Sequence, residues 1–248
     1  MELTIKNIIK QYNDLLVLDS LSHVFLENQI TVILGPSGCG KTSLLNILCG
    51  LDKKFSGSVI GFHDIAYSYI FQNNRLLPWT SILENITIPL KSRITSKYER
   101  EIIAYDILKK VQLEDYALYK PGALSEGMQK RAALARAFAY PGLVLLLDEP
   151  FSALDIKTKL RIMDLFLAIQ NEEKRTAIVV THDVKEAIYI GSQLLVLSQK
   201  PAKIIKKLDN TLAAEMRQYQ SRQAAELESY LYAMLLDGHL ADREVLKS

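Results

Sequence analysis

The run Ile30-Thr31-Val32-Ile33-Leu34 leads without a break into Gly35-Pro36-Ser37-Gly38-Cys39-Gly40-Lys41-Thr42, and that into Ser43-Leu44-Leu45-Asn46-Ile47-Leu48. A continuous apolar, β-branched run reads as a buried strand, and the apolar spacing after Thr42 reads as a helix. Between them stands the pattern GxxxxGK[ST], in the strand, loop, helix order that a phosphate-binding loop requires. Its glycines let the backbone turn tightly so that several N–H groups point inward at phosphate oxygens, and the N-terminus of the following helix reinforces them. Lys41 brings positive charge to the terminal phosphates, and the Thr42 hydroxyl is placed to ligate Mg²⁺. Gly35, Pro36, Ser37, Gly38, Cys39, Gly40, Lys41, Thr42 and Ser43 are therefore candidate contacts to ATP. Cys39, at a helix N-terminus beside Lys41, reads either as a small filler or as a redox-sensitive thiol.

The rest of the chain is patterned to suit such a loop. Leu3-Thr4-Ile5 alternates, Ile65 to Phe71 is aromatic and β-branched, and Leu143 to Leu147, Ala177 to Thr181 and Gln193 to Leu197 are strand-length apolar runs. Lys157 to Gln170 is helix-like, and from Ile82 to Tyr140 residues such as Ile103, Ile107 and Val111 fall on helical faces. Buried strands alternating with helices imply a largely parallel sheet covered on both faces. The expected fold is α/β: a phosphate-loop NTPase core, an N-terminal antiparallel β portion and an inserted helical subdomain. The core is expected over residues 1–81 and 141–210, the helical subdomain over 82–140 and a helical tail over 211–248. In that tail Leu227, Leu231 and Leu235 recur at fourfold spacing, the pattern of a helix packed on the domain.

Composition narrows the function classes. Of 248 residues 49% are hydrophobic and 23% charged, enough apolar material for a sizeable core. Thirty Lys and Arg against 28 Asp and Glu leave a net charge of +2, which makes no electrostatic case for nucleic acid as a partner. No segment approaches the roughly 20 apolar residues of a spanning helix, and the first residues do not read as a signal peptide. Two cysteines, Cys39 and Cys49, cannot build a disulfide framework, and a reducing cytoplasm is the expected setting. Asn85-Ile86-Thr87 matches a glycosylation acceptor, expected to be a chance match.

Three further groups fall at expected strand ends. Asp148 and Glu149 close the Leu143 to Leu147 run, at the sheet edge where α/β proteins place ligands. One acid can hold Mg²⁺ and the other can orient or deprotonate an attacking water, so Asp148 is assigned to the metal and Glu149 to the base. His182 follows the Ala177 to Thr181 run, where a γ-phosphate contact competes with an ordinary structural histidine. Gln72 closes the Ile65 to Phe71 run and can reach Mg²⁺ or the water as a neutral amide.

Leu124-Ser125-Glu126-Gly127-Met128, followed by Gln129-Lys130-Arg131 and then by Asp148-Glu149-Pro150, resembles the signature motif of ABC transporter ATPases. With the phosphate loop, Gln72, Ser152-Ala153-Leu154-Asp155 and His182, the resemblance runs from about Leu3 to Lys203. It implies a head-to-tail dimer with a second copy of the chain, each ATP lying between one subunit's phosphate loop and Ser125 and Gly127 of the other. Ser125 is a good N-cap, and the helix behind it would aim its N–H groups at a γ-phosphate, although capping alone also explains the serine. Glu126 departs from the family, where a glycine is usual. A carboxylate about 4 Å from a phosphate would cost on the order of 1 to 4 kcal/mol, whereas one turned to solvent would favour the helix start. Tyr12 lies where the family supplies an aromatic for adenine, with a partly buried structural tyrosine as the alternative.

The wording of Gln72 to Ile86, Asp148 to Asp155, Thr181 to Tyr189 and Leu197 to Ile204 is similar to the nitrate, sulfonate and taurine importer branch. That likeness implies an ATPase at the cytoplasmic face of the membrane, working with integral membrane permease subunits and, indirectly, with a periplasmic or lipid-anchored solute-binding protein. Leu76, Leu77 and Trp79 are then either contacts to a permease helix or subdomain core. A soluble ABC protein acting on nucleic acid or ribosomes is the main alternative. A phosphate-loop kinase would have no use for the segments at 124–128 and 152–155.

Overall fold

A computed structural model describes residues 2–62, 65–219 and 221–237. Along the chain run β1 (Leu3–Tyr12), β2 (Leu15–Phe25), β3 (Ile30–Leu34), α1 (Lys41–Leu48), β4 (Ser56–Ile60), β5 (Tyr67–Ile70), α2 (Ile82–Leu90), α3 (Lys97–Lys110) and α4 (Glu126–Ala139). Then follow β6 (Val144–Asp148), α5 (Ile156–Glu173), β7 (Thr176–Thr181), α6 (Val184–Ile190), β8 (Gln193–Leu197), β9 (Ile204–Asp209) and α7 (Arg222–Asp237). The chain is α/β, and its described residues group into two compact units, one from 1–63 with 180–248 and one from 64–179.

In the first unit β1 pairs antiparallel with both β2 and β4, in the order β2-β1-β4. This is the antiparallel N-terminal sheet that was expected, but longer, because β2 and β4 carry too many exposed residues to stand out as strands. Leu3 and Ile5 are buried, and after a register shift the buried positions become Ile8 and Lys10. A bulge that moves the inward face by one residue thus puts a lysine inside. The same unit holds β3, β8 and β9 in that order, β3 parallel to β8 from Thr31↔Gln193 to Leu34↔Val196 and β9 antiparallel to β8. All of β3 is buried, which is why its sequence is a continuous apolar run. Helix α6 packs on β3, and α7 packs on α6. Leu231, Ala224 and Met234 are buried, and Lys185 pairs with Glu228 at 3.7 Å. Of the leucines at fourfold spacing in the tail, Leu231 is buried and Leu227 and Leu235 are half-buried, on a helix that begins at Arg222; the part of the tail beyond residue 237 lies outside the described residues.

In the second unit the strand order is β5-β6-β7, with β5 parallel to β6 from Tyr67↔Val144 to Ile70↔Leu147. Leu143 is 59% exposed and stands before β6 instead of within it. Helices α2, α3 and α4, between β5 and β6 in sequence, pack on one another. Each begins on a serine that accepts a backbone N–H: Ser81 from Glu84, Ser96 from Glu99 and Ser125 from Met128. At the other end of α4, the Arg175 guanidinium donates to the carbonyls of Phe138 and Tyr140, both at 2.7 Å. Asn85 is buried, accepts from Leu77 N and donates to Leu77 O, Thr80 and Ser81, so it is a structural bracket and no glycosylation site. Among the described residues no helix is long and apolar enough to cross a membrane.

Candidate nucleotide site

The phosphate loop opens where β3 ends. Gly35 N–H donates to the Thr181 carbonyl at 3.3 Å, which ties the loop's first residue to the end of β7. Gly40 is the N-cap of α1 at φ 118, and a β-carbon there would lie 2.7 Å from both Val17 Cγ1 and Leu18 Cδ2. Only glycine meets both conditions. No side chain caps this helix, so an anion can serve the first-turn N–H groups. Lys41 is 5% exposed and its Nζ donates to the carbonyls of Gly35, at 2.8 Å, and Pro36, at 2.9 Å. An ammonium has three donors, so the loop uses two and one remains for a ligand oxygen. Thr42 is exposed and Ser43 half-buried at the start of the helix. Cys39 is buried, and burial pushes its thiol above the ordinary range against the opposing pull of Lys41, which favours the filler reading.

Tyr12 lies in the same unit, 45% exposed at the end of β1. Its hydroxyl lies 3.2 Å from Ser43 Oγ and donates to Asp52 Oδ2 at 3.1 Å. The ring is thus neither core nor loosely hung, but tied by its hydroxyl to the first turn of α1.

The second unit carries the acids. Asp148, the last residue of β6, is 4% exposed, and Glu149 follows with φ 45. A left-handed glutamate is strained, and Ser152 holds the turn by donating from both N and Oγ to the Glu149 carbonyl, at 3.2 and 2.9 Å. Gln72 Nε2 donates to Glu149 Oε2 at 3.2 Å, bringing two of the three expected catalytic side chains together. The third, His182, is exposed one residue past β7 in the first unit. Its neighbours set it: Asp183 N–H donates to Thr181 Oγ1 at 3.0 Å, Thr181 Oγ1 donates to buried Glu186 at 2.7 Å, and the Asp183 carboxylate caps α6.

Ser125 and Glu126 are both exposed at the start of α4. Gly127 has a packing reason of its own, since a β-carbon there would stand 2.7 Å from Thr158 Cγ2 on α5. Leu76 and Leu77 are half-buried, whereas Trp79 is 68% exposed and does not belong to a core.

Hard oxygen donors stand in each unit by itself: the Thr42 hydroxyl in the first, the Asp148 carboxylate and the Gln72 amide in the second. Among the described residues no three His, Cys, Asp or Glu side chains gather into a metal cage. Magnesium in phosphoryl-transfer sites needs only one or two protein oxygens plus substrate phosphates, and the donors of each unit are of that chemical kind.

An uncapped helix behind a phosphate loop, and a strand ending in two acids with a glutamine on the second, define a phosphate-loop ATPase. Residues 18–152 match the family model described as ABC transporter. The chain is 35% identical over 241 residues, 93% of its length and 95% of the relative's, to an aliphatic sulfonates import ATP-binding protein SsuB of Bacillus cereus. It is 37% identical to the protein of that name from Bacillus anthracis over 210 residues, 82% of each chain. The structure matches the dimeric structure of MJ0796, a bacterial ABC transporter cassette, with a TM-score of 0.75 and 31% identity over 85% of this chain and 100% of that one. A post-hydrolysis dimer of the same cassette bound to ADP and Pi matches equally, at a TM-score of 0.75 and 32% identity over the same shares. The chain belongs to the ABC transporter family, as one of its ATP-binding, ATP-hydrolysing cassettes.

Sequence reading passed over Lys10, Asp52 and Arg136. Lys10 stands two residues before Tyr12 on one strand, but the register shifts of β1 hide that it faces inward. Asp52 and Arg136 had no local signal, because their partners lie far along the chain.

Proposed function

We propose that the chain is the ATPase subunit of an importer of the nitrate, sulfonate and taurine type, driving solute uptake through separate membrane subunits. The observation that carries this reading is the 35% identity to a sulfonate-import ATP-binding protein over 93% of this chain and 95% of that one. The subunit would work at the cytoplasmic face of the membrane, with a solute-binding protein delivering cargo and the exposed Trp79, beside Leu76 and Leu77, offering apolar contact to a permease.

In this reading Tyr12 stacks on adenine, and Gly35 to Ser43 surround the phosphates. Thr42, Asp148 and Gln72 would hold Mg²⁺, which would neutralise charge developing on the β- and γ-phosphates. Glu149 takes the proton of the attacking water, Gln72 orients that carboxylate, and His182 contacts the γ-phosphate. Ser125 and Gly127 of a second copy close the site from the other side. The support for a second copy is the matching of a dimeric cassette over 100% of its length. The test is affinity purification of the full chain from detergent-solubilised membranes of its native host. Recovery with an integral membrane protein, whose presence changes ATP turnover, is the expected result. Recovery with ribosomes or nucleic acid alone would replace the importer reading with the soluble one.

A further inference from the structure

Lys10 is a buried cation that none of the roles above uses. It is 2% exposed, and an ammonium taken out of water persists only where it is paired and hydrogen-bonded. Its Nζ donates to Asp52 Oδ1 at 2.9 Å and to the Lys54 carbonyl at 2.6 Å. The same Nζ stands 4.4 Å from the centroid of the Tyr12 ring, over its face. Asp52 in turn accepts from Lys10, from Lys54 N–H at 3.0 Å and from the Tyr12 hydroxyl at 3.1 Å. Burial alone would raise the Asp52 carboxyl, but these bonds hold it below the ordinary carboxylate range.

The Tyr12 ring is thereby constrained in two ways. Asp52 and Ser43 hold its hydroxyl, and Lys10 supports one face by attraction between the cation and the ring quadrupole. A flat aromatic held at the first turn of α1, with a cation on one face, is a platform for a second aromatic on the other. Base–aromatic stacking gains from such preorganisation, because a ring already fixed loses no rotamer freedom when the base arrives.

We infer that Lys10 and Asp52 are positioning residues for nucleotide binding, fixing the Tyr12 ring so that an adenine base can stack on it. The inference rests on the assignment of Tyr12 to adenine, and the two can fail separately. The plainer role for Lys10, holding the chain at Asp52 and Lys54, would affect folding but would not distinguish ligands with a base from ligands without one.

Equilibrium binding of ATP and of inorganic tripolyphosphate to the full chain, each with Mg²⁺, separates these roles. Lys10→Met and Asp52→Asn are each expected to weaken ATP about fivefold and to leave tripolyphosphate within about twofold. Lys10→Arg, which keeps a cation and a donor in place, is expected to stay within about twofold of the parent for both ligands. Thermal unfolding identifies any variant that fails to fold, and Asp52→Asn, nearly isosteric, keeps the comparison available if Lys10→Met does not. Equal weakening of both ligands, or no weakening of ATP in variants that fold while Tyr12→Ala does weaken it, overturns the positioning role. ATP binding unchanged in Tyr12→Ala removes the stacking assignment itself, and the roles of Lys10 and Asp52 with it.

Discussion

Gln72 Nε2 donates to Glu149 Oε2 at 3.2 Å, joining the second residue past β5 to the first residue past β6. The bond engages one carboxylate oxygen and restrains the orientation in which the group would act as the proposed base. Glu149→Gln removes the acceptor charge at nearly constant shape. It is expected to bind ATP normally and to lower single-turnover hydrolysis by about 10²- to 10⁴-fold, the usual range for a lost general base. Gln72→Ala keeps the base but frees its carboxylate, and a smaller loss, about tenfold, is expected. Phosphate release in a rapid-quench experiment measures both, and wild-type turnover in Glu149→Gln would exclude it as the base.

Arg136 sits on α4, yet its guanidinium donates to the carbonyls of Asn74 and Arg75, both at 2.7 Å. Burial pulls its pKa down from the free value, and a guanidinium keeps its charge regardless. Arg75 lies over the Phe71 ring at 3.9 Å, so Gln72 stands between a stacked residue and a clamped pair. Arg136→Met leaves two carbonyls without this donor, and Gln72 is expected to lose its register with Glu149. The predicted outcome is kcat lowered about tenfold with ATP affinity within about twofold, and Arg136→Lys falling between. Unchanged kcat in a folded Arg136→Met protein would show that the clamp serves stability alone.

Glu126 stands exposed as the first residue of α4, beside the Ser125 cap. Opposite a phosphate of a partner's nucleotide it repels, by about 1 kcal/mol at 4 Å in water, or about fivefold in affinity. A head-to-tail dimer holds two such sites, so Glu126→Gly is expected to tighten ATP-dependent self-association roughly 30-fold at low salt, with the gain fading as ionic strength rises. Sedimentation equilibrium on the Glu149→Gln background measures it. Equal dimer affinity at low salt would mean that the carboxylate turns to solvent.

What could be read from the sequence follows the physics of burial. Strand β3 is covered on both faces, so its identity survives as an unbroken apolar run, and Gly40 is recognisable because its φ and its neighbours Val17 and Leu18 admit nothing else. Strand β2 leaves Leu15 at 53% and Val24 at 48% exposure, which blurs the alternation that marks a one-sided strand. The bulge in β1 reverses the burial parity, and that reversal is what hides the inward position of Lys10. The candidate site residues that the sequence offers sit at the ends of strands and helices. Those that it does not, Asp52 and Arg136, act on partners roughly 40 to 60 residues away, where no local period points.

His23, on β2, ties stability to pH. It is 6% exposed, its Nε2 has no hydrogen-bond partner, and the Phe25 ring stands edge-on at 4.8 Å. Burial, aided by the nearby Lys207 charge and opposed by the neighbouring Gln193 side chain, lowers its pKa from 6.5 to about 4. The unfolded chain therefore takes up this proton below about pH 6.5, while the folded chain resists until about pH 4. Between those values the unfolded state binds more protons, so stability falls as pH falls, by about 3 kcal/mol across the window. His23→Phe, which has no proton to bind, is expected to lose less stability between pH 7 and pH 4.5 than the parent. Urea midpoints measured across that range test it, since the remaining titrating groups are common to both proteins. Parallel midpoint curves would mean that His23 titrates in the folded chain as it does in the unfolded one, with water reaching the ring.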